Sequence, residues 1–449
     1  MPSHSRRSPS PLPALAAAVV AAVVLAIAAL LAGGLPTSSP GADPAAAPAE
    51  SEQTPAATAA PTTPASAVPS PTPTPPAPPP TVEFTLVTGG DILTHGPVLT
   101  SARAAGDGEY DFAPLMENVR PYVSGADLAL CHLEVPVAPP GTEPSGYPVF
   151  GAPEELVPAL ADEGWDGCST ASNHSMDRRY SGLETTLDAL DDARLGHSGM
   201  ARTEEEAAST QMYSVRVEDR RIRVANISFT YGLNGLPKPD GMPWAVDTFD
   251  ADAQDVSPIL AAAQAARDEG ADIVIASTHC CVEYQVEPNA AQRDIAEQIA
   301  ESGLVDLYVG HHAHVPQPIE LLEGGVDGDG MWTYFGHGNY LSNQDTQCCS
   351  AHTNSGYLGV TTFSVSPDGD VDVTAEWVAT TVDRTSRHTM HVLADIAETG
   401  AGDLSAGEAQ ARHGRVADAA GTQAAERTSP PERLADAAFR ITRWWEASD

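Results

Sequence analysis

From residue 82 onward, short apolar segments of nearly continuous hydrophobicity alternate with helical patterns. Continuous rather than alternating hydrophobicity is typical of strands that are covered on both faces. Strands separated by helices indicate a layered α/β domain with right-handed crossovers. We therefore expect strands at residues 82–87, 127–131, 168–171, 221–228, 272–277, 305–309 and 332–335.

Two helices between these strands have recognisable ends. Ser257 followed by Pro258 is typical of an N-cap with proline in the first turn, and Gly270 then ends a helix over 258–269. Residues 289–302 carry an apolar stripe and predict a second helix.

A hairpin and a weaker tail complete the chain. Residues 359–365 and 371–378 flank a polar turn and predict a hairpin that closes a domain over 82–388. Residues 389–449 form an Ala-rich tail, and apolar residues recur at helical spacing near its end. We expect a C-terminal helix that packs on the domain, with a partner-binding helix as the alternative. The recurring residues are Leu434, Ala438, Ile441 and Trp445.

The N-terminus predicts a single-pass membrane anchor. Residues 14–32 are small or apolar and uncharged, and as a helix they would span about 28 Å. Arg6 and Arg7 precede this run, which places the N-terminus in the cytoplasm and the rest of the chain outside. A cleaved signal peptide is the alternative for residues 1–35. Residues 36–81 are rich in Pro, Ala and Thr and predict an extended, disordered linker.

Charge narrows the range of partners. The chain has 61 Asp and Glu against 23 Lys and Arg, for a formal charge of −38. Nucleic-acid binding needs a clustered basic surface, so no nucleic-acid partner is expected. An acidic field of this size also repels anionic polymers, unless bound ions screen it.

Polar residues lie at the carboxyl ends of five of the expected strands. In open α/β sheets, ligands collect beyond the carboxyl ends of strands. A lone Asp after a strand usually caps a helix, but five endings rich in Asp, Glu, Asn and His indicate a metal or polar catalytic centre. These endings are Gly89-Gly90-Asp91, His132-Leu133-Glu134, Ser172-Asn173-His174, Thr278-His279 and Gly310-His311-His312-Ala313-His314.

These residue types favour particular ions. Carboxylate and amide oxygens with imidazoles suit Mn²⁺, Fe, Zn²⁺ or Mg²⁺. Two such ions would polarise a phosphoryl or acyl oxygen and generate hydroxide at neutral pH. A histidine outside the ligand set would then protonate the leaving group.

As a set, the motifs resemble those of the CapA family of poly-γ-glutamate capsule synthesis proteins. The resemblance spans residues 84–382 and implies a four-layer αββα sandwich of metallophosphoesterase type, preceded by a transmembrane helix and a disordered linker. The motifs are Gly90-Asp91-Ile92-Leu93, His132-Leu133-Glu134, Ala171-Ser172-Asn173-His174, Gly182-Leu183, His279 with Glu283-Tyr284, Gly310-His311-His312-Ala313-His314-Val315 and Gly336-His337-Gly338-Asn339-Tyr340.

The same resemblance assigns roles to individual residues. His174 becomes the candidate acid, and Glu283 and Asn339 become second-layer or substrate contacts. The implied metal ligands are Asp91, Glu134, Asn173, His279, His312 and His314.

The chain departs from the family pattern at three places. His132 stands where members commonly have Asn, and Cys280-Cys281 stand where they have Trp-Gly. Asp91 is followed by Ile92 rather than by the Asp-x-His motif that opens most metallophosphoesterase sites. Loss of that histidine removes a usual metal ligand, so one or both metal sites are expected to be weak or empty.

Six cysteines in an extracytoplasmic protein predict disulfides. Cys131 and Cys168 lie near the ends of two strands that could be neighbours, and we expect one bond there. We expect a second link between the Cys280-Cys281 loop and the loop that carries Cys348 and Cys349. A soft-metal site is the alternative.

The sequence therefore predicts a CapA-like protein of the cell membrane whose C-terminal domain is extracytoplasmic. It would act in synthesis or export of poly-γ-glutamate or a related anionic surface polymer, by metal-assisted hydrolysis or transfer. Its expected partners are that polymer or its precursor and membrane-bound synthase subunits. One alternative is a non-catalytic polymer-binding or synthase-partner scaffold with a degenerate metal site. Another is a general phosphatase unrelated to capsule.

Overall fold

The structure is a computed structural model that describes residues 80–385, 387–435 and 440–442. The expected membrane segment at 14–32 and nearly all of the expected linker lie outside these residues. Within the described part of the chain, no helix has both the length and the apolar character needed to cross a bilayer.

The strands of the described residues vary in length from 2 residues in β15 to 13 residues in β13. The strands are β1 (Val82–Ile92), β2 (Leu128–Leu133), β3 (Gly167–Ser169), β4 (Gly196–Ser198), β5 (Gln211–Val217), β6 (Arg220–Thr230), β7 (Ile273–His279), β8 (Leu307–His311), β9 (Ile319–Leu322), β10 (Met331–Tyr334), β11 (Asn339–Leu341), β12 (Ser355–Val365), β13 (Val371–Asp383), β14 (Thr389–Val392), β15 (Ala425–Glu426) and β16 (Arg440–Thr442).

Helices occupy most of the longer connections. They are α1 (Gly96–Ala105), α2 (Ala113–Met116), α3 (Arg120–Ser124), α4 (Leu156–Glu163), α5 (Arg179–Asp192), α6 (Glu204–Ala207), α7 (Ser257–Asp268), α8 (Ala290–Glu301), α9 (Leu393–Ile396) and α10 (Ala406–Ala420).

The strands form two mixed sheets. One has the order β14-β13-β12-β1-β2-β3-β4, with β11 beside β1 and β15 beside β13. The other has the order β16-β5-β6-β7-β8-β10-β9. The neighbours β1 to β4 pair in parallel, as do β6, β7, β8 and β10. Each sheet therefore has a parallel centre, as the continuous apolar segments predict.

Three apolar clusters give these sheets their order in space. Phe84 and Leu86 of β1 pack in one cluster with residues of β5 to β8, so the two sheets face each other. Val87, on the opposite face of β1, packs with residues of α1 to α5. Ile259 of α7 and Ile295 of α8 pack on the outer face of the second sheet. The layers run helices, sheet, sheet, helices, which is the order that the family resemblance implies.

The predicted helices and hairpin are present with small shifts. Asn289 caps α8 by accepting from the amide of Gln292, and Gly303 follows it at φ +66°. The N-cap of α7 is Val256, whereas Ser257 is the first helical residue and the Asp255 side chain accepts from its amide. The predicted hairpin forms from β12 and β13, paired in antiparallel register.

The C-terminal helix is the element that differs. Residues 440–442 form β16, which pairs with the edge strand β5, and Leu434 is exposed in a segment without regular structure. Ile441 and Thr442 are β-branched and fit a strand, so pairing to an open sheet edge outweighs the helical spacing. The last residues of the expected helix lie outside the described chain.

One of the two disulfide predictions is confirmed and the other is wrong. Cys131 and Cys168 are register partners on β2 and β3 and are bonded to each other. Cys280 is bonded to Cys281, and Cys348 to Cys349, so the expected link between the two loops is wrong. Adjacent thiols need no loop to bring them together, and with every cysteine paired no thiolate remains for a soft metal.

Glu163, at the end of α4, predicts a pH-dependent stability. It is buried and accepts from the Tyr340 hydroxyl and the Trp165 indole N–H. Burial raises the pKa of Glu163 from its ordinary value of 4.5 to about 8. The group's stabilising contribution is therefore complete below about pH 4.5 and is lost as the pH rises through about 8.

We expect Glu163→Gln to have a flatter dependence of the unfolding free energy on pH between 5 and 8 than the wild type. Denaturant titrations at several pH values measure this difference. Glu323→Gln, at an exposed position, controls for the loss of one negative charge. Parallel wild-type and Glu163→Gln curves would contradict the expectation.

Candidate metal centre and adjoining cavity

Side chains from both sheets meet at the carboxyl ends of their parallel strands. Asp91 lies near the end of β1, and Glu134 directly follows β2. His279 ends β7, and His311 ends β8. All four are buried. Because the sheets face each other, strand ends on different sheets share one enclosed space.

A close approach of two backbone segments holds Asp91 in position. A β-carbon on Gly90 would lie 2.0 Å from the carbonyl oxygen of Gly338, so glycine is required there. The Asp91 amide donates to the same carbonyl at 2.9 Å. Asp91 is also the register partner of His132 on β2. Its carboxylate and this imidazole therefore leave adjacent strands side by side.

Three imidazoles face the Asp91 carboxylate. Nδ1 of His314 lies 2.9 Å from Oδ2, and Nδ1 of His311 lies 3.4 Å from Oδ1. Nε2 of His132 lies 4.0 Å from Oδ1. Burial alone would raise the pKa of Asp91, but hydrogen bonds from His311 and His314 hold it well below its ordinary value. Asp91 is therefore ionised in the folded protein.

Asp91, His132, Glu134 and His279 constitute the first ligand group, with one ligand atom of each within 4.8 Å of the others. Nε2 of His132 is 2.9 Å from Nδ1 of His279, and Nε2 of His279 is 3.9 Å from Oε1 of Glu134. The Ser169 hydroxyl lies 2.8 Å from Nδ1 of His132 and fixes the orientation of that ring.

Glu283, His312 and His314 constitute the second ligand group, within the same 4.8 Å limit. Nε2 of His314 is 3.9 Å from Oε1 of Glu283, whose side chain is 41% exposed. Nδ1 of His312 is 3.1 Å from Nε2 of His279, so the two groups adjoin. His312 and His314 have φ of +85° and +57°. Residues other than glycine rarely adopt this left-handed region of backbone conformation, and such strain concentrates at functional sites.

Glu134 is the least compensated group in the site. Neither of its carboxyl oxygens has a hydrogen-bond partner among the described residues, and both are buried. Burial raises its pKa well above the ordinary value, against the opposing effect of His314. A buried polar group without a partner costs about 1–3 kcal/mol. This cost disappears when a cation binds.

The four imidazoles of the two ligand groups comprise three neutral rings and one charged ring. Burial lowers the pKa values of His132 and His279 well below the ordinary value. Burial and the charge of His314 lower the pKa of His312 to about 3. Burial also acts to lower the pKa of His314, but Glu134 and Asp91 raise it to about 9. The neutral rings offer lone pairs to a metal, and His314 supplies the counter-charge without one.

The donor atoms of the two ligand groups are suited to binding a divalent ion. Buried carboxyl oxygens lack partners, and neutral imidazoles lie within ligand distance of each other. This donor set suits Mn²⁺, Fe or Zn²⁺, and Mg²⁺ less well because of its imidazoles.

The other expected site residues surround the ligand groups. Oδ1 of Asn173 lies 3.0 Å from Nε2 of His279, so its amide oxygen reaches the same space. Oδ1 of Asn339 lies 3.1 Å from Nδ1 of His314 and orients that ring. Nδ1 of His174 lies 2.7 Å from Oδ2 of Asp177. All the expected site residues therefore lie in one region.

Several residues escaped the sequence reasoning. His132 was predicted at a strand end but not as a ligand, because its pairing with Asp91 depends on the order of strands. His311 was likewise predicted at a strand end without a role, although it faces Asp91. His95 lines a cavity, and His388 and His391 are buried. The strand-end position of His132 and His311 was the signal that could have revealed them.

A cavity of about 660 Å³ adjoins the second ligand group. Glu283 and Asn173 lie in its wall together with His174 and Asp177. Its volume is in the range of small-ligand sites. A substrate in this cavity would reach the ligand groups through Glu283 and Asn173.

Comparison with known families agrees with the motifs. Residues 85–344 match the family described as bacterial capsule synthesis protein PGA_cap. This match covers more than half of the chain. The chain belongs to this family.

Curated relatives of the PGA_cap chain share about a quarter of its residues over the matched segments. It is 28% identical over 192 residues to the PGA biosynthesis protein CapA of Bacillus subtilis, covering 42% of this chain and 46% of the relative. It is 24% identical over 240 residues to the capsule biosynthesis protein CapA of Bacillus anthracis, covering 51% and 54%. A probable polyglutamine synthesis accessory protein of Mycobacterium tuberculosis is 27% identical over 210 residues, covering 45% and 53%. The chain thus spans about half the length of these relatives.

Two solved structures are weakly similar to this chain. A phosphatase of Mycoplasma pneumoniae has a TM-score of 0.37 and 13% identity, covering 67% of this chain and 94% of that one. A calcineurin-like phosphoesterase of Bacillus subtilis has a TM-score of 0.36 and 14% identity, covering 66% and 91%. Similarity at this level carries no argument about activity.

Because the carboxyl of Glu134 lacks a partner, replacing it should stabilise the metal-free protein and remove the stabilisation that metal binding provides. In the presence of a chelator, Glu134→Met should raise the free energy of unfolding by about 1–3 kcal/mol, because it removes the unpartnered oxygens at similar volume. With Mn²⁺ added, the wild type should gain stability and the variant should gain little. Denaturant titrations with and without Mn²⁺ provide the test.

Glu206→Met is the matched control. Glu206 is also buried, but its carboxylate pairs with Arg202 at 2.6 Å. Its substitution should lower stability equally with and without Mn²⁺. A Glu134→Met variant that is less stable than wild type in chelator would contradict the interpretation.

Proposed function

We propose that this PGA_cap protein is a membrane-tethered, extracytoplasmic enzyme that acts on poly-γ-glutamate or a related anionic surface polymer by metal-assisted hydrolysis or transfer. Its membrane anchor would be residues 14–32, and its partners the polymer or its precursor and membrane-bound synthase subunits. Family membership and the names of the relatives, which refer to capsule and PGA biosynthesis, support the polymer. The two ligand groups support the chemistry.

The observation that carries this proposal is the enclosed set of Asp91, Glu134 and neutral imidazoles beside an open cavity. An ionised carboxylate and a second, unpartnered carboxyl are costly to bury together. Structural roles elsewhere in the chain do not require such an arrangement, since Asp306 is buried with Arg267 at 2.6 Å. A divalent ion would neutralise these groups and orient a substrate.

Each residue has a defined task in this proposal. The first ligand group would hold one ion, with the Asn173 oxygen beside it, and the second would hold another. Bound ions of this kind polarise a phosphoryl or acyl oxygen and provide hydroxide near neutral pH. Asn339 orients His314, and Ser169 orients His132.

His174 is the group positioned to move a proton. Its Nδ1 donates to Asp177, which also accepts from the Phe150 amide at 2.7 Å and is thereby fixed. This leaves Nε2 as the ring nitrogen available to a substrate in the cavity. From there it can protonate the oxygen or nitrogen of a leaving group.

One observation favours a non-catalytic scaffold as the second candidate. His279 already contacts other site residues through both ring nitrogens, to His132 at 2.9 Å and to Asn173 at 3.0 Å. A closed network of this kind can be stable without metal. In that case the protein would bind the polymer or a synthase subunit through the same surface.

Elemental analysis of the purified full-length protein distinguishes these functions. The enzyme proposal expects about one or two equivalents of divalent metal and phosphodiesterase or amidase turnover. His312→Ala should lose at least half of the metal and most of the turnover. His352→Ala, a histidine outside both ligand groups, should retain both. Metal-free wild-type protein that binds the polymer would instead support the scaffold.

The role of His174 predicts a dependence on the leaving group. His174→Ala should lower kcat by about 100-fold or more for substrates with an alcohol or amine leaving group. For p-nitrophenol, which needs no protonation to leave, the loss should be much smaller. His95→Ala, which changes another histidine of the same cavity, should affect both substrate types alike. Equal losses in His174→Ala would exclude the acid role.

A further inference from the structure

The cavity beside the second ligand group has walls that metal chemistry alone does not explain. Its volume of about 660 Å³ exceeds what a single phosphoryl or carboxyl group fills. The residues that line it away from the ligand groups therefore bear on which part of a substrate lies there.

The described residues of these walls carry no permanent positive charge. None of the described residues that line the cavity is a lysine or an arginine, whereas Glu283 and Asp177 are acidic. Arg178 and Arg384 contact the surrounding loops, but Arg178 donates to Glu143, Ser145 and Phe150, and Arg384 to Asn343 and Asp345. A chain bearing a free carboxylate on every unit finds no counter-charge here and meets acidic groups instead.

Uncharged hydrogen-bonding groups replace the missing cations. The walls carry four side-chain amides, each hydrogen-bonded within the protein. Each amide still has an N–H for a ligand, and in all but Asn343 the oxygen can accept a second hydrogen bond. Hydroxyl and acetamido groups of a ligand match this mixture, whereas carboxylates use only the donors. The four amides belong to Asn173, Asn234, Asn343 and Gln344.

Apolar faces accompany the amides. Tyr147 is 76% exposed and Val149 is 48% exposed at the rim, although large apolar side chains are usually covered. Tyr284 lies in the wall, as does the Cys348-Cys349 disulfide. A bond between adjacent residues closes almost no loop and stabilises the fold little, so its effect is local. The bonded pair adds an uncharged segment to the cavity wall.

We propose that this cavity binds an uncharged glycan chain, with sugar rings against Tyr147, Tyr284 and the disulfide, and hydroxyl or acetamido groups on the amides. The inference rests on the proposed function: the glycan would be the acceptor or the uncharged part of the substrate, and the anionic part would lie at the ligand groups, where bound ions would supply the counter-charge. Glycan binding itself needs no metal. The competing occupant is a γ-linked glutamate chain, which the charge of the walls disfavours.

Calorimetric titration of the full-length protein in chelator tests this proposal. Tri-N-acetylchitotriose is the neutral probe, and a γ-linked oligoglutamate of similar length is the charged one. We expect the saccharide to bind and the oligoglutamate not to bind at the same concentrations. Tyr147→Ala should weaken saccharide binding by about 5- to 10-fold, and Tyr147 is exposed enough for the variant to fold. Tyr110→Ala, which removes a tyrosine outside the cavity, should bind as wild type.

A change of charge at the rim sharpens the comparison. Val149→Lys should give measurable oligoglutamate binding where the wild type has none, because it supplies the missing counter-charge. Oligoglutamate binding to the wild type at least as tight as saccharide binding would overturn the proposal. No saccharide binding, or equal binding by Tyr147→Ala, would overturn it as well. Metal content and turnover are measured separately, so either proposal can fail alone.

Discussion

The burial of Asp91 and Glu134 where two sheets meet is the constraint around which the site is organised. Asp91 lies near the end of β1 and Glu134 directly follows β2, both in the first sheet, and the imidazoles that face them come mainly from strand ends of the second. The site therefore exists only when both sheets are packed. The same packing makes His132 and His279 neutral, because burial lowers their pKa values. Fold stability and ligand chemistry thus depend on one interface.

The sequence predicts the centre of the fold better than its edges. Strands such as β7 and β8 are covered on both faces, so their continuous apolar runs are visible without any alignment. Strand β5 escaped the prediction because Ser214 and Arg216 interrupt its apolar run. The helix expected near the C-terminus was wrong at β16 because Leu434, Ala438, Ile441 and Trp445 recur at helical spacing, whereas the three residues of β16 include only one of them. An edge strand depends on a neighbour that is distant in sequence, and local patterns do not contain that information.

The site follows the same rule. Strand-end positions identified Asp91, Glu134, His279 and the two histidines after β8, because the end of a parallel strand is a local property. They did not reveal that His132 lies beside Asp91, which depends on register between strands. The Cys131–Cys168 bond was predicted, but the bonds within Cys280-Cys281 and within Cys348-Cys349 were not, since six cysteines permit many pairings. What a single strand determines was therefore predictable, whereas the register that brings His132 beside Asp91 was not.

Buried carboxylates elsewhere in the chain show that the site is an exception to the fold's own chemistry. Glu206 pairs with Arg202, and Asp306 pairs with Arg267 and accepts from the Val274 amide. Arginine and backbone donors satisfy these buried acids, and neutral side-chain donors from Tyr340 and Trp165 satisfy Glu163. Around Asp91 and Glu134 no arginine approaches among the described residues, and two neighbouring histidines adopt left-handed backbone conformations. An arginine there would neutralise the carboxylates permanently, whereas imidazoles leave them able to exchange that partner for a metal ion.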